Sequence, residues 1–587
     1  MSIAECSVKV LLRIAGSKAR FFGGGSFRVK LNGRATLLAC LFCATHAALA
    51  APVPAPASPP APPTALTTAI ESRVALLVGA GELSIRGEAI AAGSAIADFY
   101  TRRAFAPAWG NPRDVDDLLR AIVDSADDGL SPSDYHLSAL ASLRPLLQDP
   151  ATTTFERADF ELLLTDAIFR LGYHLWFGKV DPQRFDSGWN LGRSIPGLDP
   201  AAELEAALAS GDLYGALEAA RPAHPLYAGL RRELAHYRRI ALAGGWPDIA
   251  AGPTLEPGAD DPRVPALRAV LRATGDLADA GTGDETSYDT ALEAAVRSFQ
   301  ARMGLDADGR IGPATLAELK VPVEDRILQL RVNLDRGRVL LYQLPPEFVV
   351  VNIAGFEAFY LRGEQTLWRG RAQVGKPWRM TPEYRSEITY LVFNPTWTVP
   401  PTIIANDILP AARRDPASIT RRGLKVIDGA GRVLDPASVD WSRFRSGHIP
   451  YTLRQDPGPA NALGRVKFMF PNPYSVYLHD TPTRALFESD TRTTSSGCVR
   501  IEHPLELAKL LLDDPAQWND ATIAAVLARG ETRNVTLGKR VPIMLAYWTA
   551  WVDDAGRVNF RRDIYGRDQR WAELLNAPFA FRRQPIG

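Results

Sequence analysis

The chain has 587 residues, a length that suits about three or four domains at roughly 100–200 residues each. Hydrophobic residues make up 46% and charged residues 23%, which is the composition of a globular protein able to bury a sizeable core. A formal net charge of +1 excludes any global electrostatic case for nucleic-acid binding.

Taken in chain order, residues 1–50 come first and are predicted to be a signal peptide. They carry seven basic residues and one acid, so the rest of the chain holds a net −5 against the overall +1. Arg28, Lys30 and Arg34 form a positive n-region, Ala35 to Ala47 an apolar stretch, and Ala48-Leu49-Ala50 a small-x-small cleavage site. The apolar stretch is short for a membrane span, which disfavours an uncleaved anchor. Cys40 follows too little apolar sequence for a lipoprotein signal. The 28 residues ahead of this compact signal predict a native start nearer Val29, which N-terminal sequencing of the precursor checks. Of the four cysteines, Cys6, Cys40 and Cys43 lie in this leader, which leaves Cys498 as one exported thiol without a disulfide partner. Such a thiol is a liability unless it does chemistry.

Residues 51–65 read as a Pro/Ala-rich linker. Residues 66–250 read as a helical scaffold: Leu164, Ile168, Leu171 and Leu175 recur on one helix face, and helical patterns also cover 93–105, 115–124, 201–209 and 228–242. His136, His174, His224 and His236 lack metal-ligand spacing and read as structural. After a Pro/Gly/Asp-rich linker at 252–262 comes a small helical unit, 262–322. Val264, Leu267, Val270 and Leu271 mark its first helix, Leu292, Val296, Phe299 and Gln300 its second, and Thr315 to Leu319 its last. A core this small is expected to pack on a neighbour. Residues 323–575 form the third unit. Strands are predicted at 348–353, 357–362, 366–374 and 387–393, a Gly/Pro-rich insertion at 402–465, strands again at 466–470 and 475–479, helices at 504–512 and 519–529, and a last strand at 541–547. The fold class is therefore α+β and multidomain, with a mostly β third unit flanked by helices.

The chemistry concentrates in that third unit. His479 ends the strand Ser475-Val476-Tyr477-Leu478, and Ser495-Ser496-Gly497-Cys498-Val499-Arg500 follows a polar loop. A Cys–His pair serves acyl transfer: the imidazole lowers the thiol pKa, holds a thiolate and shuttles its proton. Gly497, without a Cβ, permits close backbone approach. The N–H groups of Gly497 and Cys498 are candidate oxyanion-hole donors. Arg500 reads either as a clamp for a substrate carboxylate or as a structural ion pair. No acid announces itself as a third member, so a backbone carbonyl is the candidate to orient His479. No metal site is predicted, since HExxH is absent and His448 and His503 have no partners at ligand spacing.

The segment from His479-Asp480-Thr481-Pro482 to Ser495-Ser496-Gly497-Cys498-Val499-Arg500 resembles the signature of YkuD-type L,D-transpeptidases: a His, a loop, then Ser/Thr-x-Gly-Cys-apolar-Arg. The resemblance is to the large Gram-negative form, and it extends to Leu171 through Pro182, Phe393 through Pro400, Gln455 through Gly464 and Thr549 through Asp554. The 264–319 stretch is similar to peptidoglycan-binding domains. Many members carry a second His before the Gly-Cys pair; Ser496 stands there, so it receives no proton-transfer role.

The resemblance implies a periplasmic L,D-transpeptidase that needs no cofactor. Cys498 would be the nucleophile, His479 the base, and 402–465 a cap that shields a thioester from water. Tyr477, Trp397, Asn461, Ser496 and Arg500 become candidate substrate contacts; core packing is the plainer reading of the two aromatics. The implied partners are peptidoglycan stem tetrapeptides as donor and acceptor, with other cell-wall synthesis enzymes as possible associates and no nucleic acid. The implied product is a 3→3 cross-link, and carbapenems should acylate Cys498. An L,D-carboxypeptidase or wall-attachment hydrolase with the same nucleophile, and a silent wall-binding scaffold, remain the alternatives. A papain-like peptidase is disfavoured, because its Cys precedes its His.

Overall fold

The computed structural model describes residues 64–184, 186–192, 194–278, 286–342, 344–445, 448–579 and 581. The predicted signal peptide, nearly all of the Pro/Ala linker, and Cys6, Cys40 and Cys43 lie outside the described residues.

Helices build the first part. Helix α1 (Ala65–Ala80) starts at Thr64, whose hydroxyl accepts from Thr67 N at 3.2 Å, and it buries Ala69, Ile70, Val74 and Leu77. Helix α2 (Thr154–Phe177) opens on a capping box, in which Thr153 Oγ1 accepts from Glu156 N and Glu156 Oε2 accepts from Thr153 N. The predicted face of Leu164, Ile168, Leu171 and Leu175 is buried, but so are Leu162, Leu163 and Phe169 on other sides. Helix α2 is thus an axis of the scaffold core rather than a surface helix.

The small unit folds as Val264–Ala273, Thr290–Met303 and Pro313–Leu319. Gln300 is its polar hub. Its amide nitrogen donates to Asp308 Oδ1, Arg310 O and Thr315 Oγ1, and its amide oxygen accepts from Gly309 N. The unit does share its core with neighbours: Val296 and Phe299 belong to one cluster with Tyr237, Leu334, Met544 and Phe560.

No element is predicted between 323 and 346. The structure has an 18-residue helix there, α3 (Val323–Leu340), which buries Asn333, Asp335, Arg336 and Arg338. Its polar residues are spent on contacts. Asp335 accepts from the N–H groups of Lys179 and Val180, from Trp571 Nε1 and from Arg338. Arg338 also donates to Asp128 O and Tyr227 Oη. The motif around Gly178-Lys179-Val180 is therefore the socket for α3.

The third unit is a nine-stranded sheet. Its strands are β1 (Glu347–Asn352), β2 (Glu357–Arg362), β3 (Gln365–Gly375), β4 (Tyr384–Phe393), β9 (Val466–Met469), β10 (Leu478–His479), β11 (Thr493–Ser495), β12 (Val499–Ile501) and β13 (Arg533–Ala546). They run in the order β11-β3-β12-β10-β9-β4-β13-β1-β2. Strand β2 pairs β3 again, so the sheet closes on itself around the core of Val351, Ile388, Phe468, Leu478 and Ile501. Two strands differ from expectation: β10 keeps only the last two residues of 475–479, and β13 begins at Arg533 rather than 541.

Between β4 and β9 lies the insertion. Its sheet runs β5 (Trp397–Thr398), β8 (Thr452–Gln455), β6 (Lys425–Ile427), β7 (Val433–Leu434). It has its own core of Ile404, Leu409, Val426, Trp441 and Leu453. Because β5 pairs β8, this layer takes in Trp397, ahead of the predicted start at 402.

Candidate active site

The register of the sheet decides which side chains meet. Lys467 on β9 pairs with His479 on β10, His479 with Arg500 on β12, and Arg500 with Gln373 on β3. Directly opposed residues on neighbouring strands point to one face at close range. These four form a row across the sheet, and Lys467, His479 and Arg500 line a chamber of about 1130 Å³. Tyr477, Ser475, Ser495, Ser496 and Cys498 line its floor, and Trp397, Pro400, Ile403, Asp407 and Arg414 line it from the insertion.

Cys498 sits between β11 and β12, half-buried and free. Its thiol donates to Ser475 O at 3.9 Å, and the sulfur accepts from the backbone N–H and the phenol of Tyr477. Ser475 is held at φ 55°, a left-handed conformation that costs a non-glycine residue about 1–3 kcal/mol. Asn472 fixes that turn: its amide nitrogen donates to Val476 O, and its oxygen accepts from the N–H groups of Tyr474 and Val476. Burial pushes the Cys498 thiol up in pKa, while Tyr477, Lys467 and Arg500 pull it back.

His479 is buried, with 4% of its surface exposed. Its Nδ1 lies 2.5 Å from Asp480 O. A carbonyl can only accept, so Nδ1 carries the hydrogen and the neutral ring keeps its lone pair on Nε2. A backbone carbonyl thus takes the orienting role that the sequence analysis left to one. The Asp480 carboxylate is used elsewhere, accepting from Arg465 N and Arg484. Burial first, then the Arg500 charge, pushes His479 down to about 3. Both partners are therefore neutral at rest. Among the described residues the sulfur's hydrogen-bond partners are Tyr477 and Ser475.

At Gly497 a Cβ would meet no protein atom nearer than 3.6 Å, so the folded chain itself does not need the glycine for space. The glycine is required by its φ of 117°. Its N–H donates to Ser495 Oγ at 3.1 Å, which removes it as a free oxyanion donor and leaves the Cys498 N–H as the candidate. Gly497 O accepts from Thr381 Oγ1, which in turn accepts from Gly375 N. At Gly375 space does decide, since a Cβ would lie 2.1 Å from Arg379 O.

Ser496 is exposed and accepts from Arg379 Nη1 at 2.8 Å. The same guanidinium pairs with Asp407 of the insertion at 2.5 Å, so Arg379 latches the insertion to the nucleophile loop. Trp397 and Tyr477 both reach the chamber. Asn461 does not. It is 2% exposed, its amide nitrogen donates to Asp456 O and its oxygen accepts from Leu463 N, so it closes a loop rather than meeting substrate. Arg500 donates to the neutral Gln373 and Thr494 and makes no ion pair among the described residues. Its structural ion-pair reading falls away.

Sequence reasoning missed Lys467, Arg379, Asp407 and Thr381. For Lys467 a signal exists: in Val466-Lys467-Phe468, alternation turns the lysine to the face opposite two core residues, which is the face of His479.

Residues 346–543 match the L,D-transpeptidase catalytic domain of the YkuD family. That region of the chain is a YkuD-type L,D-transpeptidase catalytic domain. Residues 260–319 match a "Putative peptidoglycan binding domain" and residues 94–234 a scaffold domain. A Haemophilus influenzae protein named "Putative L,D-transpeptidase" is 38% identical over 251 residues, which is 42% of this chain and 50% of that protein. The chain thus spans about half the length of this curated relative. Crystal structures of L,D-transpeptidases from Xylanimonas cellulosilytica (14% identity, 51% of this chain, 99% of that one, TM-score 0.17) and Stackebrandtia nassauensis (13%, 50%, 97%, 0.19) are also similar. With scores this low, the YkuD assignment stands on the family match.

Proposed function

We propose that this chain is a periplasmic L,D-transpeptidase that forms 3→3 cross-links between peptidoglycan stem peptides through a Cys498 thioester. The observation that carries the reading is the chamber itself, in which the thiol of Cys498 and the buried, Nδ1-protonated imidazole of His479 share one wall beneath the insertion.

In the first half, Cys498 Sγ attacks the carbonyl carbon of the diaminopimelate at position three of a tetrapeptide stem. His479 Nε2 takes the thiol proton and delivers it to the leaving D-alanine amine. The C–N bond breaks and a thioester remains. In the second half, the side-chain amine of another diaminopimelate attacks that thioester. His479 removes its proton and returns it to the sulfur as the new amide forms. Because both groups are neutral at rest, the proton moves during attack rather than before it. The insertion, latched by Arg379 and Asp407, excludes water that would otherwise yield a tripeptide. A carbapenem should acylate the same sulfur.

Intact-mass analysis tests this. Incubation with disaccharide-tetrapeptide should give a transient adduct equal to the stem less D-alanine, absent in Cys498→Ala. No adduct, with substrate nonetheless turned over by Cys498→Ala, overturns the thioester route.

A further inference from the structure

We propose that Lys467, together with Arg500 on the other side of His479, makes the Cys498 chamber a site that selects a carboxylate-bearing substrate. The inference deepens the acyl-transfer reading above and rests on it for the identity of the substrate.

Lys467, His479 and Arg500 stand directly opposite one another on three neighbouring strands. A strand pair brings opposed side chains to about 4.5–5.5 Å at Cβ, so two cations flank the imidazole at close range. Both are half-buried and line the chamber. Among the described residues, neither makes an ion pair with a carboxylate. Lys467 Nζ sits 3.8 Å from the centre of the Tyr477 ring, and Arg500 reaches only the neutral oxygens of Gln373 and Thr494. Arg500 Nε is buried with no hydrogen-bond partner. Charged side chains this deep are ordinarily paired.

Four buried arginines elsewhere follow that rule, whereas Arg331, Arg492 and Arg561, half-buried like the chamber pair, make no ion pair among the described residues and donate to neutral oxygens of the fold instead. Arg302, Arg326, Arg336 and Arg338 are as deep or deeper, and each has an acidic partner within 2.7 Å. Burial pulls the pKa of both chamber cations down, as it does for a charge lacking a counter-ion. Two uncompensated cations in a pocket open to ligand are a complement for an anion. A stem peptide brings carboxylates of its own: one on the terminal D-alanine, one on the diaminopimelate side chain. Lys467, facing Cys498 from beyond the Tyr477 ring, is the new member of the site and a positioning residue for that anion.

The field can be read without substrate. Cys498 is alkylated by neutral iodoacetamide or by anionic iodoacetate, and the ratio of the two rates is compared with that of a small free thiol. Any change in thiol pKa cancels in the ratio. In the full chain the ratio should favour iodoacetate relative to the free thiol. Lys467→Met should lower it roughly fivefold to tenfold, as expected for one lost charge in a half-buried site. Lys467→Arg should keep it within about twofold, since the charge is retained.

An unchanged ratio in Lys467→Met, or a ratio lost in Lys467→Arg, overturns the proposal. If Lys467→Met fails to fold, both rates rise together to free-thiol values, and Lys467→Arg then decides alone. Alkylation does not require cross-linking activity. A chain that alkylates selectively but forms no thioester sinks the proposed function and leaves the anion site standing.

Discussion

Tyr477→Phe probes how the nucleophile is charged when it acts. The Tyr477 N–H and phenol both donate to the Cys498 sulfur. The substitution removes the phenol alone and leaves the ring on which Lys467 rests at 3.8 Å. A hydrogen bond to a charged group contributes about 1.5–3 kcal/mol. One pKa unit corresponds to about 1.4 kcal/mol, so the thiol pKa should rise by roughly one to two units. The sign follows from which form is bonded: the phenol stabilises the thiolate, and losing it favours the thiol. The assay is the rate of Cys498 alkylation by iodoacetamide against pH in both proteins. The midpoint should move up by about one to two units, with a roughly tenfold or greater loss of rate well below it. A midpoint unmoved in a folded variant refutes the assignment of Tyr477 as thiolate donor.

Gly497→Ala should fold, because a Cβ has space, yet carry about 1–3 kcal/mol of backbone strain from φ 117°. We expect a modest drop in melting temperature and a much larger fall in kcat, read by thermal denaturation and turnover. The neutral state of His479 predicts that the acid limb of kcat/KM does not break near 6.5; it should stay flat down to at least about pH 5, because the folded pKa lies near 3. The same shift bears on stability. Below about 6.5 the unfolded chain binds a proton that folded His479 refuses, so its contribution is complete above 6.5 and is lost as pH falls toward 3. A melting temperature lower at pH 5 than at pH 7, with a smaller difference in His479→Gln, checks this. Asp335→Ala strands Arg338 and the N–H groups of Lys179 and Val180 in the core, and should destabilise by about 3–5 kcal/mol in chemical denaturation.

How much of this was legible in the sequence varies with the kind of signal. Cys498, His479 and Arg500 were legible because their chemistry is rare and their motif local. Strands β1 to β4 were legible from β-branched runs such as Phe348 to Ile353. Helix α3 was not, since Asn333, Asp335, Arg336 and Arg338 interrupt its apolar pattern, and the partners that allow their burial (Thr549, Lys179 and Val180, Asp568, and Asp128 with Tyr227) lie far away in sequence. Lys467 was hidden for a similar reason. An alternating strand with one lysine reads as half-exposed, and nothing local says that the insertion covers that side. Gly497 was identified from its missing Cβ, but its φ of 117°, a second reason for a glycine there, is visible only in the fold. Asn461 carried a chemically able side chain, but both ends of its amide are spent on its own loop.

The measurement that bears most directly on the account is a muropeptide assay. Residues 51–587, and the same chain with Cys498→Ala, are incubated with disaccharide-tetrapeptide, and the products are read by mass spectrometry. The account predicts a dimer lacking one D-alanine from the first and unchanged substrate from the second. Tripeptide monomer with no dimer, or a dimer formed equally by Cys498→Ala, would contradict it.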